Sequence, residues 1–182
     1  ALGRFSFPGK SAARLLVDTL LSFPTVVIGL VVYILVSHRG PLGELELLFS
    51  LPGIAVGQTI LGLPIVIALT ASAVENTDPR LEETLLSLGA SRGQQLLSTV
   101  AELRFSLLAA AITAYGRIIS EVGISMMIGG NIKGSTRTIT TAIALETNKG
   151  RFGLGLALGL VLLLLVFLVN LGLHFIKRYS EA

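Results

Sequence analysis

The chain has 182 residues, 52% of them hydrophobic and only 14% charged, and its mean hydropathy is +0.81. A soluble domain usually carries about 25% charged residues, so much of this surface is expected to face lipid. The chain has no cysteine, which excludes disulfides, thiolate metal sites and a cysteine nucleophile. Its net charge of +3 comes from basic residues at the ends of apolar runs, and no aromatic-interleaved basic stretch points to nucleic acid.

Four apolar segments are long enough to cross a bilayer core, which takes about 20 helical residues. The first covers residues 15–36, with Pro24 as an expected kink. Gly40, Pro41 and Gly43 then predict a turn, and the apolar stretch 45–51 suits the interface. The second span covers 54–74 and is interrupted by Pro64. After a polar connection at 75–104 comes the third span, 105–128, which contains Arg117 and Glu121. A glycine-bounded connection, 129–153, has a helix-like middle at 138–145. The fourth span, 154–176, is a Leu/Val run with Asn170 and His174 as its polar interruptions and should face lipid. The other three carry Ser, Thr, Gly and Pro, which suit the inside of a bundle. His38 and His174 lie far apart, form no metal-ligand pattern and read as interfacial side chains. The expected fold class is an all-α, polytopic membrane helix bundle, with residues 1–182 forming one transmembrane domain.

Lysine and arginine counts orient the chain. Eight lie on the N-terminal flank, the 75–104 connection and the C-terminal tail, against five on the other two connections. Cytoplasmic flanks retain positive charge, so both termini and 75–104 are expected in the cytoplasm and 129–153 outside.

The cytoplasmic connection carries a short amphipathic helix. Asp78 can cap it, Pro79 suits its first turn, and Glu82 and Glu83 lie near the positive end of its dipole. Leu81, Leu85, Leu86 and Leu88 give an apolar face and Gly89 stops the helix. A second short helix at 94–103 leads into the third span. An apolar face in this position can lie on the bilayer or fill a groove in a partner protein.

The Glu83-to-Gly89 spacing resembles the EAA loop of ABC importer permeases, which reads Glu-Ala-Ala, three residues, Gly, nine residues, then Ile-x-Leu-Pro. Here Thr84 and Leu85 replace the alanines, and Glu102 stands where the family has proline. The stretches SFPTVVIGLVVYILVSHRGPLG and GQTILGLPIVIALT are similar to permeases of the molybdate/tungstate group, closest to the tungstate branch. So are Ser120, Glu121, Val122 and Gly123, and the GGNIKG stretch leading to TITTAIALET. The resemblance implies a type I ABC importer permease fold in the plasma (inner) membrane of a prokaryote, working as a homodimer. It implies an ATPase-docking loop made of Glu82, Glu83, Thr84, Leu85, Leu86, Ser87, Leu88, Gly89 and Ala90. It also implies cytoplasmic ATPase subunits that bind the ATP and drive alternating access, and an extracytoplasmic protein that delivers the oxyanion. No cofactor is expected in this chain, which has no GxxxxGK[ST] loop of its own. Permeases of the family usually have a further helix before the point where this sequence begins. The non-Met start leads to the expectation of an incomplete bundle with an exposed groove along the first span.

Arg117 and Glu121 lie at i and i+4, share a helix face and can pair. An unpaired charge at the bilayer centre costs about 2.5–3.5 kcal/mol on insertion scales, so the pair reads first as internal glue. The alternative is that Arg117 and Glu121 line the cargo path, with Gln58, Thr59, Thr113, Ser120 and Ser125 as further polar candidates. Outside, Asn131, Lys133 and Arg137 are expected to face the binding protein. With Lys149 and Arg151 they give a positive balance that favours an anionic cargo or an acidic rim, or is simply a solvated loop. A secondary transporter, or a permease for sulfate or phosphate, remains an alternative. A membrane-embedded enzyme would need a constellation such as H-E-x-x-H or G-x-S-x-G, which the sequence lacks.

Overall fold

The computed structural model describes residues 8–180, leaving out the side chains of Pro79, Glu82, Leu173, His174 and 176–180. The expectations for the Glu82 and His174 side chains therefore lie outside the described residues. Among the described residues all regular structure is helical. In chain order it comprises α1 (Lys10–Ser22), α2 (Thr25–Val36), a 3-10 turn (Gly43–Leu45), α3 (Leu51–Glu75) and α4 (Pro79–Ser87). Then follow α5 (Arg92–Glu102), α6 (Arg104–Ile119), α7 (Gly123–Gly129), α8 (Ile139–Asn148) and α9 (Phe152–Ser180). Two of these, α3 and α9, are long and apolar enough to cross a membrane alone. Up to four spans result if α1 with α2, and α5 with α6, each count as one broken span.

The two prolines expected to disturb spans behave differently. Pro24 restricts Phe23 to extended backbone and is itself extended (φ −60°, ψ 123°), so residues 15–36 form two helices rather than one kinked one. Its carbonyl then accepts the first bonds of α2, from the N–H groups of Val27 (2.9 Å) and Ile28 (3.2 Å). Pro64, expected to interrupt the second span, lies inside the unbroken 25-residue α3. Membrane helices tolerate such a proline where neighbouring groups satisfy the freed carbonyl. The third expected span, 105–128, also divides, because α6 ends at Ile119 and α7 begins afresh at Gly123.

Contacts divide the chain into two compact units, Ala1–Ser22 with Pro64–Ala114 and Phe23–Leu63 with Tyr115–Ala182. The second holds the best-defined core. Ile28, Val32 and Val36, one helical turn apart on α2, meet Ile124 and Ile128 of α7 and Leu61 of α3. Leu47 and Leu48, from the expected interfacial stretch, pack against this cluster. Close approach of α3 and α7 depends on Gly57, where a Cβ would come within 2.6 Å of both Ile124 Cγ2 and Ile128 Cδ1. At the other end of α7, the Phe49 N–H donates to the Ile128 carbonyl (2.7 Å). In the same unit α8 and α9 pack as a helical hairpin. Beyond it, Leu156, Leu163 and Phe167 leave α9 largely uncovered, as expected for a lipid-facing span.

In the first unit Leu103, Ala110 and Ala114 are buried, and α4 packs on α5. Although Glu102 replaces the family's proline, the chain still bends by 63° between α5 and α6.

Candidate functional site

The 75–104 connection folds as its sequence suggests, and its ends explain its shape. Asp78 accepts a hydrogen bond from the Arg80 N–H (2.9 Å), and Pro79 occupies the first helical position. At the other end the Gly89 N–H donates to the Leu86 carbonyl (3.0 Å) and the Ala90 N–H to the Leu85 carbonyl (3.0 Å). This is a Schellman turn, and it needs the left-handed backbone that Gly89 adopts at φ +69°. Ser91 and Gln94 then form a capping box that starts α5 two residues earlier than expected, at Arg92. The leucine face divides: Leu81 and Leu85 are half-buried, whereas Leu86 (58%) and Leu88 (76%) are exposed. Glu83, Thr84, Ser87, Gly89 and, more shallowly, Ala90 complete the solvent side of this loop.

Several of the polar residues singled out in the spans come together in the second unit. Gln58 Nε2 donates to Ser125 Oγ (3.3 Å). Gln58, Tyr115, Thr138 and Thr140 contribute polar groups to a cavity of about 180 Å³. Glu121 is 4% exposed. One carboxylate oxygen accepts from Arg117 (3.1 Å), and the other from the N–H groups of Gly123 (2.9 Å) and Ile124 (3.4 Å). Its backbone carbonyl accepts from Thr140 Oγ1 (3.0 Å). Glu121 therefore pairs with Arg117 as the spacing suggests, but from beyond the end of α6, where it caps α7 and joins it to α8. Thr59 and Ser120 stand apart from this cluster: both are exposed, and their hydroxyls donate to the carbonyls of Ala55 (2.8 Å) and Arg117 (2.9 Å).

Thr113 belongs to a different site. It lines a cavity of about 410 Å³ in the first unit, together with Ser72, Asn76 and Ser106. Among the described residues no charged side chain lines it. Sequence reasoning missed Ser72, Asn76 and Ser106. The available signal was their spacing, since Ser72 in the last turn of α3 and Asn76 just beyond its end stand at i, i+4, and Ser106 and Thr113 share a face of α6 at i, i+7.

On the expected outer side, Asn131 and Arg137 form one structure rather than two free groups. Arg137 donates to the Asn131 side-chain oxygen (3.0 Å) and to its carbonyl (3.1 Å). Buried Thr136 holds the loop from inside by bonding the Gly129 carbonyl. Lys133 is exposed. Buried Glu146 accepts from Lys149 (3.0 Å) and Arg151 (3.3 Å), so these two basic residues are partly neutralised. The hydrogen bond from Lys149 holds the Glu146 carboxyl below the usual carboxylate range; burial opposes this, and the charges of Lys149 and Arg151 reinforce it. Among the described residues no group of three or more His, Asp or Glu could hold a metal ion.

Residues 1–180 match the family described as the binding-protein-dependent transport system inner membrane component. The chain is 51% identical to a tungstate uptake system permease protein, TupB, of Campylobacter jejuni, over 96% of this chain and 73% of that protein. It is 42% identical to a probable anion ABC transporter permease protein of Haloferax volcanii, covering 82% of this chain and 67% of the relative. A TupB of Peptoclostridium acidaminophilum is 40% identical over 87% of this chain and 70% of its own length. Matched along nearly its whole length, and built of helices long and apolar enough for a bilayer, the chain belongs to the binding-protein-dependent transport system inner membrane components and is a transport permease.

Proposed function

We propose that this permease is the membrane-spanning subunit of an ATP-driven oxyanion importer, with tungstate as its cargo and molybdate as the nearest alternative. The observation that carries the reading is the α4 loop. A capped nine-residue helix closes at Gly89 and leaves Leu86 and Leu88 uncovered beside Glu83. Uncovered leucines on a rigid, doubly capped helix suit insertion into a cleft of a partner protein. In this reading two copies of the chain pair, each α4 loop docks on a cytoplasmic ATPase subunit, and ATP-driven closure alternates access across the membrane. An extracytoplasmic binding protein docks on the side of Asn131, Lys133 and Arg137. Both chain ends and α4 lie in the cytoplasm.

The identity with the Campylobacter tungstate permease supports the cargo assignment. The polar chemistry is compatible with it. Ser72, Asn76, Ser106 and Thr113 line the cavity with neutral polar groups, which hold an anion more weakly than a guanidinium and release it more readily. The Glu121 carboxylate is compensated by Arg117 and two backbone N–H groups, which lessens its repulsion of a passing anion. The test is reconstitution with the cognate ATPase and binding protein. Tungstate-loaded binding protein should stimulate hydrolysis, and Glu83→Ala or Gly89→Leu should abolish the stimulation. Stimulation retained in both variants would sink the docking assignment. Uptake competed equally by sulfate would remove the tungstate assignment, and uptake driven by an ion gradient without ATP would replace the mechanism.

A further inference from the structure

Four ion pairs occur among the described residues, and three of them join residues three to five positions apart. The fourth joins Arg14 of α1 to Glu75, the last residue of α3, across 61 positions. The chain from Glu75 to α4 is short and bonded throughout. The Asn76 N–H donates to the Ser72 carbonyl (3.1 Å) and the Thr77 N–H to that of Val74 (3.3 Å). Thr77 Oγ1 donates to the Ala73 carbonyl (3.2 Å), and Asp78 caps the helix that follows. A displacement of α4 must therefore reach Glu75, and through Glu75 it reaches α1.

The pair is a poor fold element, since the Arg14 side chain is 51% exposed and that of Glu75 26%, and exposed pairs contribute little to stability. It is also able to open. Asp18 lies one turn beyond Arg14 on the same helix, so the guanidinium has a second carboxylate within reach when Glu75 moves away. We infer that the Arg14–Glu75 ion pair is a positioning contact that ties the α4 loop to α1, so that movement of α4 is passed to α1. The inference rests on the reading of α4 as the ATPase contact.

The test uses the intact complex in proteoliposomes and reads cargo moved per ATP hydrolysed. Arg14→Gln and Glu75→Gln should each lower this ratio roughly five-fold or more while hydrolysis continues. The exchanged pair, Arg14→Glu with Glu75→Arg, should recover most of it. Arg14→Lys keeps a single N–H···O contact and should keep the wild-type ratio. Unchanged ratios in both glutamine variants, or an exchange no better than the single variants, would overturn the proposal. An exchange that restores assembly but not the ratio would mark a fold contact and overturn it equally. A wild-type complex without binding-protein-stimulated hydrolysis would instead remove the underlying reading of α4.

Discussion

Glu121 shows how one buried residue can serve three segments, two through its carboxylate and one through its backbone carbonyl. It accepts from Arg117 on α6 and from two N–H groups of α7, while its backbone carbonyl takes the Thr140 hydroxyl of α8. Glu121→Ala strands the Arg117 and α7 donors but leaves the main-chain carbonyl that Thr140 uses, and should lower stability by about 2 kcal/mol, read as thermal unfolding in detergent. Glu121→Gln keeps an acceptor and should lose less; equal losses would mean that capping of α7 is not the cause. At Gly89 a Cβ would meet nothing within 4 Å, so the penalty of Gly89→Ala is the left-handed backbone alone, about 1–2 kcal/mol. Glu146 gives a pH dependence. Its folded pKa lies below the unfolded one, so its contribution is fully present above the unfolded value and is lost as pH falls through the folded value. Melting temperature should therefore drop on acidification through the carboxylate range, and drop less steeply in Glu146→Gln. Parallel curves would remove Glu146 from the account.

At the scale of elements, the contact between α3 and α7 is set by missing side chains. Gly57→Val would drive a branched side chain into Ile124 and Ile128 and should cost about 1–3 kcal/mol in thermal melts. Gly93, in α5, has open space and ordinary helical backbone, so Gly93→Ala should instead stabilise by about 0.5–1 kcal/mol. Elements whose ends are written in local chemistry were legible in the sequence. Asp78, Pro79 and Gly89 bound α4, and α8 follows its capping threonine, Thr138. Breaks decided by tertiary partners were not legible. Pro24 ends a helix and Pro64 does not, although hydropathy treats them alike. The end of α6 follows from the Glu121 carboxylate turning back onto the next helix, which no periodicity announces.

For the whole molecule, the absence of cysteine makes the topology directly testable. Lys133→Cys should react with a membrane-impermeant maleimide on intact cells, and Ser87→Cys only after permeabilisation; the reverse pattern would invert the orientation. The apolar inventory and the α4 loop were readable from the chain alone, because composition and local spacing carry them. The candidate polar set was only partly so. Arg117 and Glu121 announce themselves by charge, whereas Ser72, Asn76 and Ser106 are ordinary in composition and acquire meaning only by lining one cavity. A final consequence concerns α7, whose first N–H groups are held by Glu121 and whose last turn is held by the Phe49 amide. A seven-residue helix pinned at both ends by other segments has no low-energy way to fray. Its amides and that of Phe49 should therefore exchange with deuterium together, and only when the 46–50 loop and the end of α6 open in the same event.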